Sequence, residues 1–229
     1  MSETKIVDVE PKSHSRTAVH IPQVQASHYR HVYSTKERFA SFWHQIDEVM
    51  AFNPHTVLEV GIGSGFTSAG LRREEIYHIG MDIDSALNPN LLGSVLSIPL
   101  AANAVDAVLC CQVLEHLPFC EFQRAISELW RIAKSGMVIS LPDRDPYLRV
   151  SVRGPKKLAI DLFTRIPRPP FMSLSKDILG SEHCWEIGCD GVRLQNVLDA
   201  ISTVTKCTAK TYRVLENPYH RFFIVRKCD

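Results

Sequence analysis

The stretch that decides the fold is Val57-Leu58-Glu59-Val60-Gly61-Ile62-Gly63-Ser64-Gly65. The apolar run that ends at Val60 predicts a buried strand, and a short helix to about Arg73 follows the three glycines. Glycine permits a tight backbone path, and its missing side chain lets a ligand approach the main chain. The stretch therefore predicts either a ligand-binding turn or a tight turn that only packs the helix on the strand.

Strands and helices alternate through the rest of the chain. After the first strand at residues 56–60, the predicted strands occupy 76–81, a short stretch near Val95, 105–111, 137–141, 206–215 and 221–225. The predicted amphipathic helices occupy 35–50, 121–134 and 191–201. The connection Glu216-Asn217-Pro218-Tyr219 is typical of a hairpin. The pattern predicts an α/β fold, a Rossmann-like doubly wound sheet of seven strands, mostly parallel, with an antiparallel C-terminal hairpin strand.

An acidic residue closes the second predicted strand. Asp82 lies 21 residues after Gly61, where a Rossmann-type fold places a carboxylate that accepts hydrogen bonds from ribose hydroxyls. Its neighbour Asp84 is an alternative, although it is also suited to cap the following turn. We favour Asp82, because it lies directly at the carboxyl end of the strand.

Three segments resemble a known family when they are taken together. Residues 59–65, 80–84 and 106–117 resemble the successive motifs of class I S-adenosylmethionine-dependent methyltransferases. The resemblance is closest to the type 11 branch, which includes ubiquinone- and menaquinone-biosynthesis methyltransferases, and it covers about residues 50–142. It implies S-adenosylmethionine as cofactor and methyl transfer to a small-molecule or lipid-linked metabolite.

The resemblance also implies which residues bind the cofactor. They are Glu59, Gly61, Gly63 and Gly65 for the methionine part, Asp82 for the ribose, Ile83, Ser94 and Val95 for the adenine, and Gln112 beside the cofactor. Ser94 departs from the family, which usually has an aspartate there. A serine hydroxyl can accept the same hydrogen bond, but with serine in this position the binding of the adenine depends more on the backbone amide of Val95.

Residues 143 to about 190 interrupt the alternation and are predicted to form an insert on the substrate side. From Arg144 to Lys176 the insert has eight basic and two acidic residues, a net charge of +6. Three interpretations stay open: a solvated basic helix that caps the sheet, a pocket for an anionic acceptor, and a segment that docks on a membrane to reach a lipid-like acceptor. No aromatic platform accompanies the charges, so nucleic acid is not an expected partner.

Two histidines are candidate general bases, since the pKa of imidazole is about 6.5. His116 follows the fourth strand, and His183 lies in His183-Cys184-Trp185-Glu186-Ile187-Gly188. We favour His183, because it belongs to the insert that should face the acceptor. The alternative for each is a structural histidine bonded to the backbone. His183, Cys184 and Cys189 match no standard zinc spacing, so no metal site is predicted.

Residues 1–34 lack periodicity and are predicted to form a flexible arm before a methyltransferase domain at 35–229. Tyr29, His31 and Tyr33 are interpreted as a loosely packed surface segment, with closure over the cofactor as the alternative. Scattered cysteines, the absence of a secretory signal and the absence of a long apolar run predict a cytoplasmic protein without a transmembrane segment. The net charge of +1 favours no class of charged partner.

Two other functions compete with methyl transfer. A nicotinamide-dependent reductase would use the same glycines and Asp82, but Glu59 before the glycines and Leu114-Glu115-His116-Leu117 after the fourth strand favour S-adenosylmethionine. A non-catalytic cofactor-binding module would keep the fold without turnover. The intact glycine turn argues against that module, whereas Ser94 keeps it open.

Overall fold

The glycine-rich turn follows an inner strand of a seven-stranded sheet. The computed structural model describes residues 26–29, 33–155, 159–166, 183–189 and 191–227. The strands are β1 (Thr56–Val60), β2 (Tyr77–Asp82), β3 (Leu91–Leu92), β4 (Val105–Cys111), β5 (Ala133–Pro142), β6 (Tyr147–Arg153), β7 (Ala159–Arg165), β8 (Lys210–Arg213) and β9 (His220–Arg226). The helices are α1 (Lys36–Met50), α2 (Phe66–Arg73), α3 (Phe122–Ile132) and α4 (Leu194–Thr205).

The order of strands in the sheet is β3-β2-β1-β4-β5-β9-β8. Neighbouring strands from β3 to β5 pair in parallel, whereas β9 pairs antiparallel with both β5 and β8. The order reverses between β1 and β4, and open α/β sheets bind ligands at such a switch point. The predicted doubly wound, mostly parallel sheet with an antiparallel closing strand is confirmed.

Successive strand residues point to opposite sides of the sheet, so a continuous apolar strand has apolar side chains on both faces. Helices cover both of these faces. Leu58 of β1 lies in one core with Ile126 of α3. Its neighbour Val57 lies in the opposite core with Val49 of α1 and Leu71 of α2. Each fully buried side chain of this size contributes roughly 1.5–3 kcal/mol. No helix among the described residues is long and apolar enough to cross a lipid bilayer.

The third strand lies earlier than predicted. It consists of Leu91–Leu92, which pair with the end of β2, where Met81 is opposite Leu91. Val95 follows this strand and packs into the core with 6% of its surface exposed. An edge strand of two residues is too short to show a strand periodicity, so the buried valine after it gave the stronger signal.

The boundaries near the C-terminus also shift. The helix was predicted to start at Gly191, but this residue has a φ of +82°, which a helix does not allow. As a result α4 begins at Leu194. The helix continues to Thr205 and stops where Lys206 takes a left-handed conformation. The following strand is therefore shorter than the predicted 206–215. The hairpin of β8 and β9 is as predicted, with Arg213 opposite Arg221.

The interpretation of the basic insert as a helix is wrong for its described part. β6 and β7 form an antiparallel hairpin in a sheet of their own, with Val150 opposite Leu162. Apolar residues alternate with polar ones from Tyr147 to Arg153, and this period of two fits a strand and not a helix. Asp161 forms ion pairs with Arg149 and Arg153 on the other face of the hairpin.

Candidate active site

The three glycines of the turn all have left-handed backbone conformations. Their φ angles are +80° at Gly61, +48° at Gly63 and +75° at Gly65, a region that other residues rarely adopt. The N–H of Gly61 donates to the carbonyl of Met81 at 2.8 Å and ties the turn to β2. A Cβ at Gly61 would overlap Cγ2 of Val113, which follows β4. Both the conformation and the neighbouring strand therefore require glycine at position 61.

Asp82 fixes the turn from the end of β2. Its two carboxylate oxygens each accept one backbone N–H at 3.0 Å, from Ile62 and from Asp84. Burial raises the pKa of Asp82, and the backbone donors oppose that effect. Each oxygen retains lone pairs, which suits it to accept ribose hydroxyls as well. Asp84 caps a single 3-10 turn by accepting the N–H of Ala86 at 2.8 Å.

Glu59 and Gln112 form facing walls beside the turn. Glu59 is 4% exposed, and its Oε2 accepts the hydroxyl of Ser68 at 2.5 Å and lies 2.7 Å from Nε2 of His78. Gln112 follows β4 with a φ of +55°. Its backbone N–H donates to the carbonyl of Ser140 at 2.9 Å, and its amide donates to the hydroxyl of the same serine at 3.3 Å.

An open cleft with about 440 Å³ of empty space lies at these walls. Glu59, Gly61, Gly63 and Gln112 line it together with Arg38 of α1. A carboxylate and a guanidinium thus face the same cleft, which matches the ammonium and carboxylate groups of an amino acid. These residues fit the methionine part of S-adenosylmethionine. When bound, that cofactor supplies a methyl group on a positively charged sulfur.

The remaining predicted cofactor residues lie outside the walls of this cleft. Gly65 begins α2, and a Cβ built on it would meet nothing within 4 Å. Ile83 is half-buried directly after Asp82. Ser94 and Val95 are buried beyond β3, and the hydroxyl of Ser94 accepts the N–H of Leu96 at 3.2 Å. This bond turns the Ser94 hydroxyl toward its own loop.

Two tyrosines cover the turn, so the interpretation of this segment as loosely packed is wrong for them. A Cβ at Gly63 would lie 3.2 Å from the ring of Tyr29. Tyr33 lines the cleft, its ring contacts Tyr29 edge to face, and the guanidinium of Arg38 stacks over it at 3.8 Å. Burial raises the pKa of both tyrosines. His31 and most of the predicted arm lie outside the described residues.

The segment 183–189 is hydrogen-bonded to the loop after β4. The N–H of Cys184 donates to the carbonyl of Glu115 at 2.8 Å, and its thiol donates to the carbonyl of His116 at 3.3 Å. The indole N–H of Trp185 donates to the carbonyl of Leu117 at 2.9 Å. As a result the two predicted catalytic histidines meet, and the ring centroids of His116 and His183 lie 4.8 Å apart.

Glu186 organises the polar groups behind His183. It is fully buried, and its Oε1 lies 2.9 Å from Nδ1 of His183 and accepts the hydroxyl of Tyr219 at 3.0 Å. Its Oε2 accepts Nε of Arg144 at 2.6 Å. The guanidinium balances the buried carboxylate, and the carboxylate fixes the orientation of the imidazole.

Residues that the sequence did not predict complete the site. Glu115 is fully buried beside the two histidines, Arg38 and His220 line the cleft, and Tyr219 contacts Glu186. A charged Glu115 between apolar Leu114 and Leu117 was a visible signal. The other residues left none, because Arg38 lies in α1 and Tyr219 and His220 lie at the start of the closing strand, and no motif links either segment to the glycine turn.

Comparisons with known proteins agree with this geometry. Residues 58–141 match a family model described as a methyltransferase domain. A search of curated protein sequences finds no match. Three similar solved structures each have 14–16% identity to this chain and show its fold.

One of these structures is a Burkholderia thailandensis 1,6-didemethyltoxoflavin N1-methyltransferase with bound S-adenosylhomocysteine (TM-score 0.56, 14% identity, 89% of this chain and 85% of that chain). Another is magnesium protoporphyrin IX methyltransferase from Synechocystis PCC 6803 with the same bound product (TM-score 0.58, 14% identity, 88% and 94%). The third is an S-adenosylmethionine-dependent methyltransferase from Aquifex aeolicus (TM-score 0.54, 16% identity, 90% and 100%).

The strand order, the left-handed glycine turn and the family match together define a class I methyltransferase. This chain is an S-adenosylmethionine-dependent methyltransferase whose methyltransferase domain includes residues 58–141. The cofactor predicted from the sequence is confirmed, and the match favours it over a nicotinamide. The narrower resemblance to quinone-biosynthesis enzymes stays a prediction.

Proposed function

We propose that this protein methylates a lipid-linked or other small metabolite whose reacting group lies beside His116 and His183. His116 follows β4 four residues after Gln112, and its ring centroid lies 4.8 Å from that of His183. The contact between the rings of His116 and His183 carries this proposal. It joins the loop after β4, on the cofactor side, to the insert, on the side left for an acceptor. A cytoplasmic location and a domain spanning 35–229 stay predictions.

The reaction needs alignment more than covalent catalysis. Bound S-adenosylmethionine would supply a methyl group activated by the positive sulfur, and the residues of the cleft would hold a lone pair of the acceptor against that methyl group. A proton on the acceptor passes to a base or to water. Positioning two reactants in this way accelerates a displacement strongly. Tyr29 and Tyr33 support the alignment by covering the turn and excluding water.

His183 and His116 are the residues that we assign to the acceptor. Nδ1 of His183 lies 2.9 Å from the buried carboxylate of Glu186, as in catalytic triads where a carboxylate orients an imidazole. This contact directs Nε2 away from Glu186. Direct removal of the acceptor's proton by His183, predicted from the sequence, stays a prediction.

The lipid-like character of the acceptor is supported by the β6–β7 hairpin. One face of the hairpin consists of five apolar side chains that are 41–55% exposed: Leu148, Val150, Val152, Ile160 and Leu162. In the sequence, the basic residues Lys156 and Lys157 stand between the two strands of this hairpin. Apolar side chains flanked by positive charge suit contact with an anionic bilayer surface. We infer that the hairpin brings the cleft to such a surface.

Vesicle binding tests this inference. The double variant Lys156→Glu/Lys157→Glu should bind vesicles of anionic phospholipid at least about fivefold more weakly, since each basic residue near the surface contributes about 1 kcal/mol. Arg153 is left unchanged, because a glutamate there would face Asp161. Cosedimentation measures the binding, and Arg72→Glu/Arg73→Glu on α2 is the matched control. Equal binding by both variants and the parent would contradict the membrane contact.

A further inference from the structure

Glu115, His116 and His183 form a cluster in and against the loop after β4. Each offers one ligand atom, and the three atoms lie within 4.8 Å of one another. Glu115 and His116 belong to the single 3-10 turn Leu114–His116 that follows β4. His183 comes from the insert and is held there by the hydrogen bonds of Cys184 and Trp185 to the same loop. The fold therefore brings together two segments that are far apart in sequence.

Neither carboxyl oxygen of Glu115 accepts a hydrogen bond from another of the described residues. The residue is fully buried. Burial raises its pKa to about 7; His183 and the backbone N–H of Glu115 itself oppose this rise, and Glu186 and Arg38 have smaller effects of opposite sign. Burying a carboxyl group without partners is costly. A cation between Glu115 and the imidazoles would remove this cost.

The surroundings of His183 match those of a metal-binding histidine. Its Nδ1 lies 2.9 Å from Oε1 of the fully buried Glu186, whose other oxygen accepts Nε of Arg144. Metal-binding histidines usually donate the second ring N–H to a carboxylate, which fixes the tautomer and the ring orientation. The carboxylate of Glu186 therefore holds the His183 ring in one orientation beside Glu115 and His116.

We propose that Glu115, His116 and His183 bind a divalent transition-metal ion such as Zn²⁺ or Mn²⁺. Two imidazoles and one carboxylate form a known ligand set that keeps coordination positions open. This inference rests on the proposed function, because an open position would bind an oxygen of the acceptor. It is an alternative to two predictions made from the sequence, the absence of a metal and the role of His183 as a base.

The metal would act as a Lewis acid on an acceptor hydroxyl. Coordination lowers the pKa of the hydroxyl, its proton passes to water, and the oxygen lone pair forms the new bond to the methyl carbon. The carbon–sulfur bond breaks, and sulfur keeps that electron pair as a neutral thioether. The products are a methyl ether, S-adenosylhomocysteine and one proton. The acceptor class is therefore a hydroxyl-bearing metabolite.

Cobalt titration tests the site without an identified acceptor. Untagged protein, freed of metal by a chelator, is titrated with Co²⁺, and visible absorption reports its coordination. The parent should bind one Co²⁺ per chain and release it to Zn²⁺. Loss of an outer partner of a ligand costs about 10–100-fold in metal affinity, so Glu115→Gln and His183→Gln should each lose more than about 100-fold. Glu115→Gln conserves shape and keeps the test valid if the histidine variant does not fold.

Matched controls separate this inference from the proposed function. His55→Ala removes an exposed imidazole distant from the cluster and should bind Co²⁺ as the parent does. All variants should bind S-adenosylhomocysteine normally, since none of the substituted residues forms the cleft walls. No Co²⁺ binding by the parent, or equal binding by Glu115→Gln, would overturn the metal site. Turnover that persists at the parental rate after chelation would overturn it too, while leaving methyl transfer intact.

Discussion

Asp82 and Asp84 lie two residues apart and contact different partners. Asp82 holds the glycine turn through Ile62, whereas Asp84 caps a 3-10 turn through Ala86. We expect Asp82→Ala to weaken S-adenosylhomocysteine binding by about 1.5–3 kcal/mol, the range for lost charge-assisted hydrogen bonds. Asp84→Ala is the matched control and should cost about 1 kcal/mol of stability with little change in affinity. Calorimetry with equal affinities for the two variants would show that the ribose site is misplaced.

His220 should make the fold sensitive to acid. It is 2% exposed, and burial lowers its pKa to about 3, with smaller effects from the charges of Arg38 and His183. The unfolded chain binds a proton at this histidine below about pH 6.5 and the folded chain does not, so stability falls as the pH falls below 6.5. At pH 5 the loss from one such histidine is about 2 kcal/mol.

Urea denaturation at pH 7.5 and pH 5 measures this loss. The variant His220→Gln cannot take up the proton, so its stability should fall by about 2 kcal/mol less than that of the parent over this interval. Both proteins keep their other titratable groups, which therefore cancel in the comparison. Parallel losses would show that His220 is protonated in the folded protein.

At the scale of elements, the contact between the turn after β1 and the loop after β4 decides the packing at Gly61. Alanine at position 61 would adopt a left-handed φ, which costs about 1–3 kcal/mol, and its Cβ would overlap Cγ2 of Val113. Overlap of this kind costs about a further 1–3 kcal/mol. The double variant Gly61→Ala/Val113→Ala removes the overlap but not the strain. The double variant should therefore lose less stability than the two single variants lose together, by about 1 kcal/mol or more.

A double-mutant cycle in urea measures this coupling directly. Gly65→Ala is a suitable control, because Gly65 has a similar φ of +75° but a Cβ there would meet nothing within 4 Å. It should show the strain alone, with no coupling to Val113→Ala. Strict additivity for the Gly61 pair would mean that β1 and β4 do not meet as described.

At the scale of the whole molecule, cofactor binding should stabilise the entire sheet. The cleft residues come from α1, β1 and the turn after it, α2, β4 and β9, so unfolding destroys the site. S-adenosylhomocysteine at 100 times its dissociation constant should add about 2.7 kcal/mol. For a chain of this size that raises the Tm by about 5–10 °C. Scanning fluorimetry measures the change, and stabilisation by NAD⁺ instead would contradict the cofactor.

The sequence alone determined the class of protein. Continuous apolar runs predicted the buried parallel strands, and the glycines from Gly61 to Gly65 with Asp82 predicted the cofactor side. These signals are local, because a strand, a turn and a helix follow one another within about 25 residues. Short-range patterns of this kind determine backbone conformation, and conformation at this turn requires particular residues.

Only the tertiary structure decided which residues meet on the proposed acceptor side. It folded part of the basic insert into the β6–β7 hairpin, placed Tyr29 and Tyr33 over the glycine turn, and joined His183 to His116 and the buried Glu115. Sixty-six residues separate His116 from His183 along the chain. Their contact depends on three hydrogen bonds between the insert and the β4 loop. No periodicity within either segment encodes such a pairing, since it arises only when the sheet brings both segments to the same edge.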